Sequence, residues 1–434
     1  RPIMIDLSSI LLGCGLGLFA GLVPGLGPFT TLLLAFPLLL DLSIIQLLIV
    51  YSALITVSIY VGSVPATLYG IPGDSASMPV VFESRNLKSL RQVSEAISGA
   101  AFGGFFGSMA VALFCLFILN YLDNIKYFYS TPIFLGLLIL ASVVIIWNST
   151  NKKIASMLLY TAGFILGMVG YNAPLARPVL VFNNYMYQGL PTEVIIATLF
   201  ALPNIVFYWN YFSVNKGSRS KEAYSPWSVY ILNPMKSLFF SVVGFVTGLV
   251  PGLTTILSSV LSYNIMSYFT KDPVKRIVAS ETGNNAGAFS MLLPLLLFGI
   301  PITSSEALLL FFLEQTGFSV QHIDLGPLMK TLILNFFLIN LVGLALAWPL
   351  SNYVKYFYRV DLRYVFGTVL ILILGSLLYS GWASHSTVWY FSLTAVLVPF
   401  GIALRNFDML PLVFAFLISD KAVAAIMIVK QLYF

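Results

Sequence analysis

The chain has 434 residues, of which 59% are apolar and only 9% are charged. Soluble domains average about 25% charged residues, so this composition excludes an ordinary soluble protein. The net charge is +6, but the basic residues fall in short loops between apolar runs, which is typical of membrane topology rather than of nucleic-acid binding. We therefore predict an all-α polytopic membrane protein with about 10–12 transmembrane segments in the lipid bilayer.

The first half opens with two apolar stretches, 7–23 and 26–40, joined by Gly21-Leu22-Val23-Pro24-Gly25-Leu26-Gly27-Pro28. Proline lacks a backbone donor and glycine bends freely, so this sequence predicts a hairpin of two short helices. A longer apolar segment, 44–70, is predicted to be interrupted at Gly62-Ser63 and Pro65. It ends at Gly70-Ile71-Pro72-Gly73. Further spans are predicted over 96–119, 132–147, 154–169 and 192–209.

The second half repeats this plan after a polar linker, 213–236. A second hairpin, 238–250 and 253–269, surrounds Pro251-Gly252. A long broken segment, 274–299, ends in Gly299-Ile300-Pro301, and a brief apolar patch follows at 308–313. Further spans are predicted over 327–350, 364–379, 387–404 and 410–429.

The two halves read as an internal repeat with inverted topology. Pro251 follows Pro24 by 227 residues, and Pro301 follows Pro72 by 229. Loops at equivalent places carry opposite charge: the loop at Asp41 is acidic, whereas 271–276 is basic. The positive-inside rule then gives the repeats opposite orientations. We expect a first repeat over 1–212, a cytoplasmic linker over 213–236 and a second repeat over 237–434.

Matching helix breaks in two halves of a membrane protein indicate a transporter's binding site. Each Pro-Gly break is followed by a half-helix whose free N–H groups could hold an anion, together with hydroxyls from nearby threonines. The alternative is that the two breaks are ordinary tight turns between spans. The Gly-Ile-Pro breaks are also followed by hydroxyl side chains, which could bind a ligand or only cap a helix. The hydroxyl residues near the breaks are Thr30, Thr31, Thr254, Thr255, Ser75, Ser77, Thr303, Ser304 and Ser305.

Polar residues also open an apolar run at Glu281-Thr282-Gly283-Asn284-Asn285. Amide side chains suit either a carboxylate or Na⁺. Glu281 is a candidate for the coupling ion, although it could also lie at the membrane interface. Glu306 could hold a proton or Na⁺, or cap a helix.

Signals for catalysis are weak. His322 and His385 lie in polar segments without a paired acid and nucleophile, and there is no phosphate-binding loop. Cys14 and Cys115 lie in apolar segments without metal-ligand spacing. We predict neither an enzyme nor a cofactor, and no metal site. A coupling ion, Na⁺ or H⁺, is possible.

At these motifs the chain resembles the large permease subunit of the tripartite tricarboxylate transporter family. The resemblance rests on Gly21–Pro28, Tyr60-Val61-Gly62-Ser63 with Gly70–Gly73, Ser280–Asn285 and Gly299–Pro301. It implies contacts to the substrate from residues of both halves. These are Pro24, Gly25, Gly27, Gly62, Ser63, Ser75, Pro251, Gly252, Asn284, Asn285, Pro301 and Ser304, to which the breaks add Thr254 and Thr303. The chain departs from the family where Ile302 follows Gly-Ile-Pro.

This resemblance implies a secondary active symporter of the cytoplasmic (inner) membrane that imports a di- or tricarboxylate with a cation, Na⁺ or H⁺. It also implies a small membrane subunit and an extracytoplasmic solute-binding protein as partners, and no nucleic acid. A homodimer is left open. The alternative is an anion-selective channel-like protein with re-entrant loops.

Overall fold

The computed structural model is almost entirely helical over the residues it describes. These are 5–23, 26–39, 41–70, 72–73, 75–127, 131–149, 151–172, 175–202, 206, 225–249, 255–318, 324–357 and 362–433. The first half contains α1 Leu7–Leu22, α2 Gly27–Leu34, α3 Phe36–Leu39, α4 Ile44–Tyr69, α5 Met78–Ser84, α6 Leu90–Tyr127, α7 Thr131–Asn148, α8 Lys153–Gly167 and α9 Thr192–Ile196. A 3₁₀ turn, Ser75–Ser77, precedes α5, and a π-helical turn, Ala197–Ala201, follows α9.

The remaining helices lie in the second half. They are α10 Pro234–Gly248, α11 Thr255–Phe269, α12 Pro273–Ser290, α13 Leu292–Phe298, α14 Ser304–Gln315, α15 Leu325–Ala347, α16 Val354–Phe357, α17 Leu362–Ala383, α18 Thr387–Ala403 and α19 Leu410–Tyr433. Residues 207–224, which include half of the predicted linker 213–236, lie outside the described residues.

Five helices in the described part of the chain are long and apolar enough to cross a membrane. They are Ile44–Tyr69, Leu90–Phe117, Leu325–Ala347, Arg363–Trp382 and Leu410–Tyr433. Shorter apolar helices accompany them, among them α1, α8 and α10. The prediction of an all-α polytopic membrane protein is therefore confirmed.

A small β-hairpin is an addition that the sequence did not predict. Strand β1, Gly170–Asn172, pairs antiparallel with β2, Arg177–Val179. It follows α8 in the loop before α9, and a 3₁₀ turn, Asn184–Gln188, completes this loop.

The predicted interruption at Gly62-Ser63 and Pro65 is wrong, because α4 runs continuously from Ile44 to Tyr69. Proline removes one backbone donor, but a helix packed on several sides tolerates that loss. Local side-chain bonds also hold this region helical: Ser63 Oγ donates to Tyr60 O at 2.8 Å, and Thr67 Oγ1 donates to Ser63 O at 2.8 Å. The helix ends at Gly70, as expected, with φ +66°.

The same segment of the second half has matching bounds but is broken. Adding 229 to the ends of α4 gives 273 and 298, which are the first residue of α12 and the last of α13. Both segments are followed by a glycine at φ +66°, Gly70 and Gly299. The second segment breaks at Met291, the counterpart of Gly62 at this offset.

The packing of equivalent helices is also alike. A Cβ on Gly21 of α1 would lie 2.6 Å from Ser58 O of α4, and a Cβ on Gly248 of α10 would lie 2.6 Å from Gly287 O of α12. Only glycine allows this approach between backbones. Helices of one half also pack on the other: α12 packs on α6, α4 on α15, and α2 on α14. The core therefore lies between the halves.

Candidate substrate and ion site

The first Pro-Gly break separates α1 from α2. Helix α1 ends where the N–H of Val23 donates to Phe19 O at 3.1 Å, and α2 begins at Gly27 with φ +58°. Among the residues predicted here, Pro24 and Gly25 lie outside the described part of the chain, and so do Pro251, Gly252 and Thr254 at the second Pro-Gly break.

Two hydroxyl groups follow the first break in α2. Thr30 and Thr31 are each 1% exposed, and neither Oγ1 atom has a hydrogen-bond partner among the described residues. A buried hydroxyl without a partner costs free energy, so such groups are kept where they serve a ligand or ordered water. Both can donate to an anion.

The first half brings its two breaks together at a junction of three glycines. A Cβ on Gly73 would lie 2.5 Å from the Cα of Gly62 and 2.7 Å from Gly21 O. Gly21 lies in the last turn of α1 before the first break, Gly62 lies within α4, and Gly73 follows the Gly-Ile-Pro break. The backbone of these three segments is therefore in direct contact at the predicted site residue Gly62. We call this contact the three-glycine junction.

In the second half, the Gly-Ile-Pro break leads into α14 through a capping box. Thr303 Oγ1 accepts from the N–H of Glu306 at 3.2 Å, while Glu306 Oε2 accepts from the N–H of Ile302 at 2.8 Å and of Thr303 at 3.2 Å. The capping role expected as one alternative for Glu306 is therefore present. Its Oε1 atom is buried without a hydrogen-bond partner in the described chain.

Each segment after a Gly-Ile-Pro break contacts a helix of the other half. Ser305 Oγ lies 3.0 Å from the hydroxyl of Tyr51 in α4. In the first half, Ala76 O accepts from Ser259 Oγ of α11 at 2.5 Å, and Ser259 Oγ lies 2.8 Å from Ser280 Oγ of α12. Ser280 follows Tyr51 by 229 residues, as Ser305 follows Ala76. The predicted residues Ser75 and Ser304 adjoin these contacts, but only their backbone is described.

The polar run predicted in the second half lies within α12. Glu281, Asn284 and Asn285 are each 1% exposed. Asn284 Nδ2 donates to Glu281 Oε2 at 3.4 Å, and Asn285 Nδ2 donates to Glu281 O at 3.0 Å. All three side chains are therefore buried inside the protein. The three residues form one buried polar cluster, which we call the α12 cluster.

A cavity of about 270 Å³ lies beside Pro301, and the sequence did not predict it. Its wall carries two polar contacts: Asn172 Nδ2 donates to Asp420 Oδ1 at 2.8 Å, and Lys421 Nζ pairs with Glu314 Oε1 at 2.5 Å. An adjacent acid and base within an apolar span, Asp420-Lys421 in α19, was the available signal.

A second group that the sequence missed joins the halves on the side of the basic loops. Glu83 of α5 is 2% exposed, and its Oε1 accepts from Arg276 Nη1 at 2.7 Å and from the Tyr263 hydroxyl at 2.9 Å. Burial raises the pKa of Glu83, but hydrogen bonds from Asn86, Arg276 and Tyr263 lower it further, so the pKa lies below its usual value. Both α5 and α12 lie outside the five candidate spans.

Comparisons with known proteins agree with this architecture. The profile of the tripartite tricarboxylate transporter TctA family matches residues 7–414. An uncharacterized 52.8 kDa protein from the TAR-I ttuC′ 3′ region of Agrobacterium vitis is 24% identical over 336 residues, which are 74% of this chain and 65% of that protein. An uncharacterized protein of Methanocaldococcus jannaschii is 21% identical over 407 residues, 91% of this chain and 93% of that one. No solved structure matches the chain.

Proposed function

Because the chain belongs to the tripartite tricarboxylate transporter TctA family, we propose that it imports a di- or tricarboxylate across the cytoplasmic membrane, driven by a cation gradient. The family is one of transporters, and the chain is a multi-pass membrane protein. The substrate, the coupling ion and the location of the site are the proposed part. Tripartite transporters of this family work with a small membrane subunit and a solute-binding protein, and we propose the same partners for this chain, with a homodimer as a further proposal.

The observation that carries the proposed site is the exchange of contacts between the halves. Ser305 after one break contacts Tyr51, and Ala76 after the other break contacts Ser259. We propose that the halves 1–212 and 237–434 are inverted repeats, so that these contacts bring the four breaks to a common site. Matching helix bounds and matching glycine contacts support the repeat.

The chemistry at the first break suits an anion. The N-terminus of α2 has free backbone N–H groups and the positive end of the helix dipole, although α2 is short. Thr30 and Thr31 add two buried hydroxyls that lack partners in the described chain. We propose that a substrate carboxylate accepts hydrogen bonds from these groups. The breaks at Gly27 and Pro301 would expose backbone to the same solute.

Uptake by proteoliposomes tests this proposal. The purified permease is reconstituted with its small subunit and binding protein, and the uptake of radiolabelled citrate, tartrate and succinate is measured. We expect saturable uptake of at least one of these anions and exchange of labelled for unlabelled substrate. Uptake that stays linear with concentration would favour the channel alternative, and uptake of none would refute the proposed substrate class.

Substitution of the two threonines tests the site. Thr31→Val and Thr30→Val keep the side-chain shape and remove a hydroxyl that has no partner, so the melting temperature should hold while the KM for the substrate rises about tenfold or more. The control is Thr198→Val, because the Thr198 hydroxyl is also buried but donates to Val194 O at 2.7 Å. An unchanged KM in both variants of α2 would exclude these hydroxyls from the site.

A further inference from the structure

Both amides of the α12 cluster have an oxygen that is left without a hydrogen-bond partner in the described chain. The atoms that face Glu281 must be the NH₂ groups, because both of their partners, Oε2 and the carbonyl oxygen, are acceptors. The remaining atoms, Asn284 Oδ1 and Asn285 Oδ1, are buried and have no hydrogen-bond partner in the described chain. A substrate carboxylate would repel such oxygens. They require a donor or a cation instead.

We propose that Glu281, Asn284 and Asn285 bind the coupling cation, Na⁺, and do not contact the carboxylate. This inference rests on the proposed function and names the ion and its ligands. The three residues have the i, i+3 and i+4 spacing that places side chains on one face of a helix. Carboxylate and amide oxygens are the ligands that hard cations prefer. One carboxylate balances a single positive charge, whereas a divalent ion would leave an uncompensated charge in a buried site.

The cluster occurs in one half only. The counterparts of Glu281, Asn284 and Asn285 in α4 are Ser52, Ile55 and Thr56, by the offset of 229. These residues provide no charge and no amide. The repeat therefore conserves the helix that carries the site but not the groups that hold a cation, so we assign one cation to the α12 cluster.

Helix α6 packs closely on the polar face of α12, so that glycines of α6 lie next to polar side chains of α12. A Cβ on Gly104 would lie 2.7 Å from Asn285 Nδ2, and a Cβ on Gly103 would lie 2.6 Å from Thr282 Oγ1. A larger residue in place of Gly104 would displace the Asn285 amide from its bond to Glu281 O. Gly104 thus allows the orientation in which Asn285 Oδ1 is left for an ion.

Glu306 is the competing position, because its Oε1 atom also lacks a partner in the described chain. Its other oxygen accepts two backbone N–H groups at the start of α14, which fixes the carboxylate as a cap. No amide side chain bonds to it among the described residues. A lone carboxylate of this kind suits a proton better than a metal ion, and the two positions can be separated by experiment.

Direct binding of ²²Na⁺ to the purified protein in lipid nanodiscs tests the assignment without any carboxylate. The variants are Glu281→Gln, Asn284→Leu and Asn285→Leu, with Glu306→Gln for the competing position. The control is Asn335→Leu, because the Oδ1 atom of this buried amide accepts from the N–H of Asp6 at 2.9 Å. Loss of a group that only orients a metal ligand costs about ten- to a hundredfold in affinity. We therefore expect each variant of the α12 cluster to lose at least about tenfold.

The expected result is Na⁺ binding by the wild-type chain, by Asn335→Leu and by Glu306→Gln, with weak or no binding by the variants of the α12 cluster. Unchanged binding in both asparagine variants would overturn the inference, as would loss in Glu306→Gln alone or no binding by the wild-type chain. Carboxylate uptake is measured on the same preparations. Failure of uptake with intact, cluster-dependent Na⁺ binding would refute the proposed function and leave the cation site standing.

Discussion

Gly73→Ala perturbs the three-glycine junction and tests whether the breaks of the first half meet there. The added Cβ would lie 2.5 Å from the Cα of Gly62 and 2.7 Å from Gly21 O. Carbon atoms prefer separations of about 3.5–4.0 Å, so the overlap with the Cα of Gly62 is about 1 Å. Both neighbours are backbone atoms of long helices, which no rotamer change can relieve. Overpacking of this kind costs about 1–3 kcal/mol, and we expect the upper end of that range.

The assay is the melting temperature of the purified protein together with substrate uptake. We expect Gly73→Ala to melt several degrees lower and to lose most uptake. In Gly62→Ala, the nearest atom to the new Cβ is 3.4 Å away, so this variant should lose less. In Gly15→Ala, no atom lies within 4 Å, and stability should hold or rise by about 0.5–1 kcal/mol. A Gly73→Ala protein with wild-type melting temperature and uptake would refute the junction.

Two further predictions concern stability. Arg276→Gln leaves the Glu83 carboxylate buried without its charge partner and should cost about 3–5 kcal/mol at pH 7. The pKa of Glu83 is lowered in the folded protein, so its ionised form stabilises the fold above the usual pKa of 4.5. This stabilisation is lost as the pH falls through the lower pKa of the folded protein. Melting scans of the wild-type and Arg276→Gln proteins from pH 7 to pH 3 measure it. Gly70→Ala and Gly299→Ala should each lower the free energy of unfolding by about 1–2 kcal/mol, because both glycines have φ +66°. The two variants should lose equal amounts of melting temperature, and unequal losses would count against the repeat.

The element plan could be predicted from the sequence because apolar runs and their breaks are local signals. The first helix was predicted over 7–23 and is Leu7–Leu22, and the helix predicted over 387–404 is Thr387–Ala403. The continuity of α4 through Pro65 was not predictable, since it depends on packing against other helices. The β-hairpin at Gly170 lies in a loop whose sequence has no strand-like alternation.

The sequence singles out the polar residues of α12, but it does not show which of their atoms are left without partners. Residue type alone gives Asn284 and Asn285 both donors and acceptors, so a carboxylate and a cation fitted equally well. Only the bonds to Glu281 show which atoms remain free. Ile302, where the sequence departs from the family, also marks a structural difference between the two halves. In the first half Gly73 contacts Gly62, whereas the equivalent positions of the second half are the buried residues Ile302 and Met291.

The proposed repeat, whose halves would share a backbone plan but not their ionisable groups, offers a physical basis for coupled transport. Ser305 and Ala76 occupy matching positions, and each contacts a helix of the other half, Ser305 through Tyr51 and Ala76 through Ser259. The buried acid Glu281 has no acidic counterpart in α4, where Ser52 lies at the offset of 229. A cation that satisfies the α12 cluster would lower the cost of placing an anion nearby. The binding of the cation and the binding of the carboxylate would then be coupled by the balance of their charges.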